Sequence, residues 1–197
     1  MADSLCLSLW FSDFDAEDML PRALSVLRAF PFSTERPGVT YLALHPVSWN
    51  EATVLERRCD PGITPEAAVL MASDLLHEDY AYIFEVSWDL WVPWDDGQQW
   101  TQRPSLVRCQ VHGIDFDEGI YRQEGSIEVD FGPDSPFLYE ELRLTGESED
   151  HVRDNVQKLV DFTVRAEKSS EATARLLWSE SEENLAQKLI ARLQKVQ

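Results

Sequence analysis

Four tryptophans, Trp88, Trp91, Trp94 and Trp100, fall within thirteen residues, with Asp89, Asp95 and Asp96 among them. Indole faces beside carboxylates suit sugars, cations or the basic side chains of a partner, through stacking and cation-π attraction of roughly 0.5–2 kcal/mol each. Period-two alternation over Tyr80–Val92 groups Trp88 with Phe84 and Val86, and a core role is expected for that face. The same alternation groups Trp91 with Glu85 and Asp89 on the opposite face, and it leaves Trp94 and Trp100 in the acidic loop that follows. The expected recognition residues are therefore Trp91, Trp94, Asp95, Asp96, Trp100, Glu85 and Asp89.

Other chemistry-bearing side chains lack the spacing that their chemistry needs. His45, His77, His112 and His151 are scattered, and none forms the i, i+4 pair of a helical zinc site. A dyad of His112 with Glu85 or Asp115 would have to be assembled in space. The runs Asp13–Asp18 and Asp115–Gly119 superficially resemble calcium loops, but Asp18 stands where an EF-hand needs glycine. Helix capping accounts for the first run and a turn for the second. Cys6, Cys59 and Cys109 are distant and odd in number, which suggests free thiols and neither a disulfide framework nor a metal knuckle. GxSxG, P-loop and GxGxxG motifs are missing, and no cofactor is implied.

Charge says more about partners. The net charge is -19, and residues 59–102 hold nine Asp and Glu with no Lys or Arg, while residues 109–152 hold twelve acids against two bases. Phosphate backbones and anionic lipids are bound through clustered Lys and Arg, so nucleic acid and membrane surfaces are not the expected partners. Arg57, Arg58, Arg103 and Arg108 are basic islands bordering these stretches, expected to pair with acids internally. Repulsion among exposed acids should make stability depend on ionic strength. The N-terminus alternates as a strand and lacks the basic region of a signal peptide, so a cytoplasmic location is expected.

The elements that must position these residues follow from periodicity and caps. Strands are expected at Ser4–Phe11, Val39–His45, Ala52–Arg58 and Tyr80–Val92. A helix capped by Asp13 or Asp15 runs to Phe30, and a second starts after Thr64 with Val69, Leu70, Ala72, Leu75 and Leu76 inward. Pro93–Pro104 reads as a loop. Further strands are expected at Leu106–Phe116, Ser126–Phe131 and Phe137–Leu144, then a helix capped by Ser148 and a last amphipathic helix beginning near Ser181. The predicted class is α+β, an antiparallel sheet with helices on one face. Residues 1–92 would form a ferredoxin-like β-α-β-β-α-β order and residues 105–197 a β-β-β-α-α order, in one domain of 197 residues.

Three functions compete. The first is an interaction module whose acidic, tryptophan-bearing surface docks a basic protein, as a toxin-neutralising immunity protein does, with charge speeding association and aromatics anchoring it. The second is a small-molecule binder or enzyme with a cleft between the sheet and the C-terminal helices, using Glu85, Asp89 or His112. The third is a subunit that self-associates through the last helix. With no catalytic signature present, binding is favoured over catalysis.

Overall fold

The structure is a computed structural model, and it describes residues 4–94, 99–139, 144–180 and 184–194. Seven strands, β1 (Ser4–Trp10), β2 (Val39–Pro46), β3 (Leu55–Ile63), β4 (Tyr80–Pro93), β5 (Trp100–His112), β6 (Ile127–Pro133) and β7 (Ala174–Ser179), form one sheet in the order β3-β2-β4-β5-β6-β1-β7. Every pairing is antiparallel. Among the described residues, six α-helices accompany it: α1 (Ala16–Ala29), α2 (Pro65–Ser73), α3 (Tyr121–Glu124), α4 (Ser135–Leu138), α5 (Gly146–Ser170) and α6 (Leu185–Leu193). The fold is thus α+β.

The register sorts side chains into two faces. Leu44, Tyr82, Val111, Ile127 and Leu9 align across five strands on the inner face, and Leu42, Phe84, Cys109, Val129 and Leu7 form the next row. All ten are buried, and α1, α2 and α5 pack over this sheet. Trp88 is the centre of an aromatic cluster, with ring centroids 5.1 Å from Phe131, 5.6 Å from Phe30 and 5.9 Å from Phe137. The outer rows are polar by comparison: Ile83, Gln110, Glu128 and Ser8 in one, and Glu85, Arg108, Asp130 and Cys6 in the other.

Caps set the helix starts. The Asp15 carboxylate accepts from the backbone N–H groups of Glu17 and Asp18, and the Thr64 hydroxyl accepts from Ala67 N. Helix α5 starts earlier than expected. Thr145 is its N-cap, and its N–H donates to Ser148 Oγ at 2.6 Å, so Ser148 sits one turn inside.

Several expectations differ from what forms. The β-α-β-β-α-β order of the first half is present, but β1 lies apart from the strands of that half, between β6 and β7. The reason is local closure. β4 and β5 form a long hairpin, and β5 occupies the edge of β4 opposite β2. Phe137 and Leu138, expected to open a strand to Leu144, are helical and buried, because Asp134-Ser135-Pro136 starts α4; residues 140–143 lie outside the described part. Strand β7 was not anticipated. On α2 the buried residues are Ala68 and Ala72, and Leu70 is 69 % exposed, since small residues let this short helix approach the sheet closely. The apolar stripe of α6 is turned inward: Leu185 and Leu189 are buried where α6 meets α4 and α5.

Candidate functional site

The tryptophan segment forms the far end of the β4–β5 ladder. Pairing runs from Ala81 opposite His112 to Pro93 opposite Trp100, so Pro93 and residues 100–104 of the expected loop are strand, while 95–98 lie outside the described residues. Beyond Glu85 the chain of β4 leaves β2 behind, and its free edge would expose unpaired backbone groups. Helix α5 covers that edge. The Asn155 side chain acts as a substitute strand residue: Oδ1 accepts from Trp91 N at 2.8 Å, and Nδ2 donates to Trp91 O at 2.8 Å and to Pro136 O at 2.9 Å. Asn155 is 1 % exposed. Lys158 Nζ donates to Asp89 O, and Ser33 N donates to Ser87 O, two further carbonyls of that edge.

The expected recognition residues separate on this scaffold. Trp91 is half-buried with its indole stacked on the His151 imidazole, centroids 4.0 Å apart. Trp100 is also half-buried, 5.6 Å from His151 and 5.1 Å from Tyr139. Trp94 alternates to the opposite face, is 52 % exposed, and carries the Arg103 guanidinium 4.4 Å from its centroid. Glu85 is ion-paired with Arg108 at 3.0 Å. The Asp89 carboxylate accepts from Thr34 N and Oγ1, and hydrogen bonds from Ser33 and Thr34 hold its pKa below the usual range despite partial burial, which acts the other way. Asp95 and Asp96 lie outside the described residues. The structure thus joins Trp91 and Trp100 through His151, a residue not singled out with them, and uses Glu85 and Asp89 internally.

Between α5 and this hairpin runs a groove of about 660 Å³, lined by Trp91 and Gln102 from the strands and Asp154, Lys158, Asp161 and Arg165 from the helix. Pro31 and Val164 add apolar walls. The α5 residues recur at helical spacing, but their meeting with Trp91 needs the long-range packing of α5 on β4.

A second constellation lies on the outer face. Glu128, 7 % exposed, sits in β6 opposite Gln110 of β5 and Ser8 of β1, and Gln110 Nε2 donates to Glu128 Oε1 at 3.2 Å. Burial, then the carboxylates of Glu124 and Asp130, push its pKa up to about 8. Cys6 is pushed far above the usual thiol range, chiefly by burial. His112 is fully buried, its Nδ1 meets Gly125 O at 2.9 Å, and its Nε2 is 4.0 Å from Glu124 Oε2. Burial holds His112 below the usual imidazole value. The carboxylate nearest His112 is thus that of Glu124. Among the described residues no three His, Cys, Asp or Glu side chains converge as metal ligands.

The third region is the other end of the ladder, where β4 begins and β5 ends. Loops 47–54, 74–79 and 113–120 meet there, tied by Val47 N to Asp79 O, Asp115 N to Glu78 O and Asp117 N to Val47 O, and the start of α1 adjoins them at Ala16. Glu78, Asp79 and Asp115 line one hollow there beside Ala16, whose chain neighbours are Asp15 and Glu17, and Glu118 follows in the 113–120 loop. None of these six carboxylates is in an ion pair among the described residues. Non-glycine residues with left-handed backbone concentrate here as well: Asp13, Val47, Asp117 and Glu118 all have φ between +45° and +62°. For the β-branched Val47 that conformation is strained.

The molecule is thus a seven-stranded antiparallel sheet with helices over one face, a grooved aromatic end and an acidic end. Compared with protein-family models, curated proteins and solved structures, the chain gives no match. No helix among the described residues is long and apolar enough to cross a membrane.

Proposed function

We propose that this protein is a non-enzymatic interaction module that docks a basic protein partner through its acidic end. The observation that carries this reading is the grouping of carboxylates outside any ion pair on three loops that hold one another by backbone hydrogen bonds, with the start of α1 beside them. Carboxylates left without internal cations repel one another, and a basic partner relieves that repulsion on binding. The strained backbone supports the same reading, because loops held in left-handed conformations present their side chains in fixed directions. Val47, 54 % exposed among these acids, supplies an apolar contact beside the charge. Neutralising a basic effector, as immunity proteins do, is one form of this role. Three free thiols suit a reducing, cytoplasmic setting.

The test is an NMR titration of the ¹⁵N-labelled chain with oligolysine and with a small basic protein as probes. Shifts should centre on residues 13–17, 47, 78–79 and 115–118, and weaken as salt rises. Charge reversal by Glu78→Lys, Asp115→Lys and Glu118→Lys together should abolish them. Shifts spread evenly over all exposed acids, or unaltered by the reversal, would overturn the proposal.

A further inference from the structure

We propose that the groove between α5 and the β4–β5 hairpin binds a neutral polyhydroxylated ligand, a short oligosaccharide, with one sugar ring stacked on Trp91. This site is separate from the acidic end and does not depend on the docking role proposed for it.

The volume of about 660 Å³ lies in the usual range for small-ligand sites, roughly 300–1,000 Å³. The aromatic platform is fixed in advance. Asn155 clamps both backbone polar groups of Trp91, His151 stacks on its indole, and Trp91 lines the groove whereas His151 does not. A ring held this way spends little entropy on binding.

Charge selects the ligand class. In a protein of net charge -19 this groove is balanced, with Asp154 and Asp161 against Lys158 and Arg165. Its cations already serve internal acceptors: Lys158 Nζ donates to Asp89 O, and Arg165 Nε donates to Asp161 O at 3.3 Å. An anion would meet the carboxylates of Asp154 and Asp161, and a cation would meet Lys158 and Arg165. A neutral ligand avoids both penalties. Sugar rings present an apolar C–H face to an indole and hydroxyls at their rim, and the exposed Gln102 amide and Asp154 carboxylate offer the rim a donor and acceptors.

The test titrates the full ¹⁵N-labelled chain with neutral hexaoses of β-1,4-glucose, α-1,4-glucose, β-1,4-xylose, β-1,4-mannose and β-1,4-N-acetylglucosamine, with a hexauronate as charged control. At least one neutral hexaose should shift the Trp91 indole N–H and the Gln102 side-chain amide. Its Kd should rise about tenfold or more in Trp91→Ala, a change of about 1.4 kcal/mol, and stay unchanged in Trp94→Ala. Gln102→Ala with Asp154→Ala changes only exposed side chains, so it should weaken binding with the fold intact. The proposal fails if no neutral hexaose shifts these signals at about 10 mM, if the hexauronate binds more tightly, or if neither the Trp91 nor the double variant weakens binding. None of these results bears on the oligolysine titration, which reads the opposite end.

Discussion

The two ends of the β4–β5 ladder are built from neighbouring stretches of one acidic region and behave in opposite ways. At the start of β4 the acids of loops 74–79 and 113–120 come together, since an antiparallel hairpin sets the first residue of one strand beside the last of the next. At the other end, about 45 Å of strand away, α5 contributes Lys158 and Arg165, and the charge balances around a fixed indole. Charge density along the chain therefore does not map onto charge density in space. Strand direction concentrates it at one end, and a helix from far along the chain neutralises it at the other.

The largest expected effect breaks the aromatic end alone. Asn155→Ala leaves the backbone N–H and C=O of Trp91 and the carbonyl of Pro136 without this partner, and should cost about 2–4 kcal/mol in urea unfolding. Amide spectra should move around Trp91 and His151 while the acidic loops hold still. Equal disturbance at both ends would show that they are not independent.

A smaller effect lies between them, in the sheet. Glu128 holds its proton in the fold up to about pH 8, whereas the unfolded chain releases it near the ordinary value of about 4.5. Its contribution to stability is full below that ordinary value and is lost as pH rises through the window to 8. His112 has the opposite sign, because a buried neutral imidazole opposes protonation and its contribution is lost as pH falls below the usual imidazole value. Glu128→Gln should therefore be more stable than the parent at pH 8.5, by on the order of 2 kcal/mol, with little difference near pH 4.5. A parallel loss at both pH values would assign Glu128 a packing role only.

The smallest effect sharpens the acidic end. Neutralising Glu78, Asp115 and Glu118 together, as Gln, Asn and Gln, should raise stability by up to about 1 kcal/mol at low ionic strength. That gain should shrink at about 0.5 M salt, where screening acts on the parent too. An equal gain at both ionic strengths would mean that these groups do not repel one another.

Much of the fold was legible because local rules decided it. Alternation over Tyr80–Val92 identified the inward row Tyr82, Phe84, Val86, Trp88 and Leu90, all buried, and Thr64 with Pro65 marked the start of α2. Elsewhere a neighbour, not the local chain, decided the conformation. Ala174–Ser179 becomes a strand because β1 offers it an edge, and Phe137 enters a helix because Pro136 suits a first turn. Of the candidate site residues, Trp91 and Trp100 come together through a histidine more than fifty positions away, and Trp94 turns to the other face.

Residue types and their local spacing set the α+β class, the caps, the inward rows and the strong negative charge, since each depends on residues near one another or on composition. Only the tertiary structure decided that β1 would sit between β6 and β7, that Asn155 would complete the edge of β4, and that the acids would gather at one end while the groove stayed neutral. Those outcomes depend on contacts between distant segments, which arise from the closure of loops and the covering of edges, and no local pattern of residue types encodes them.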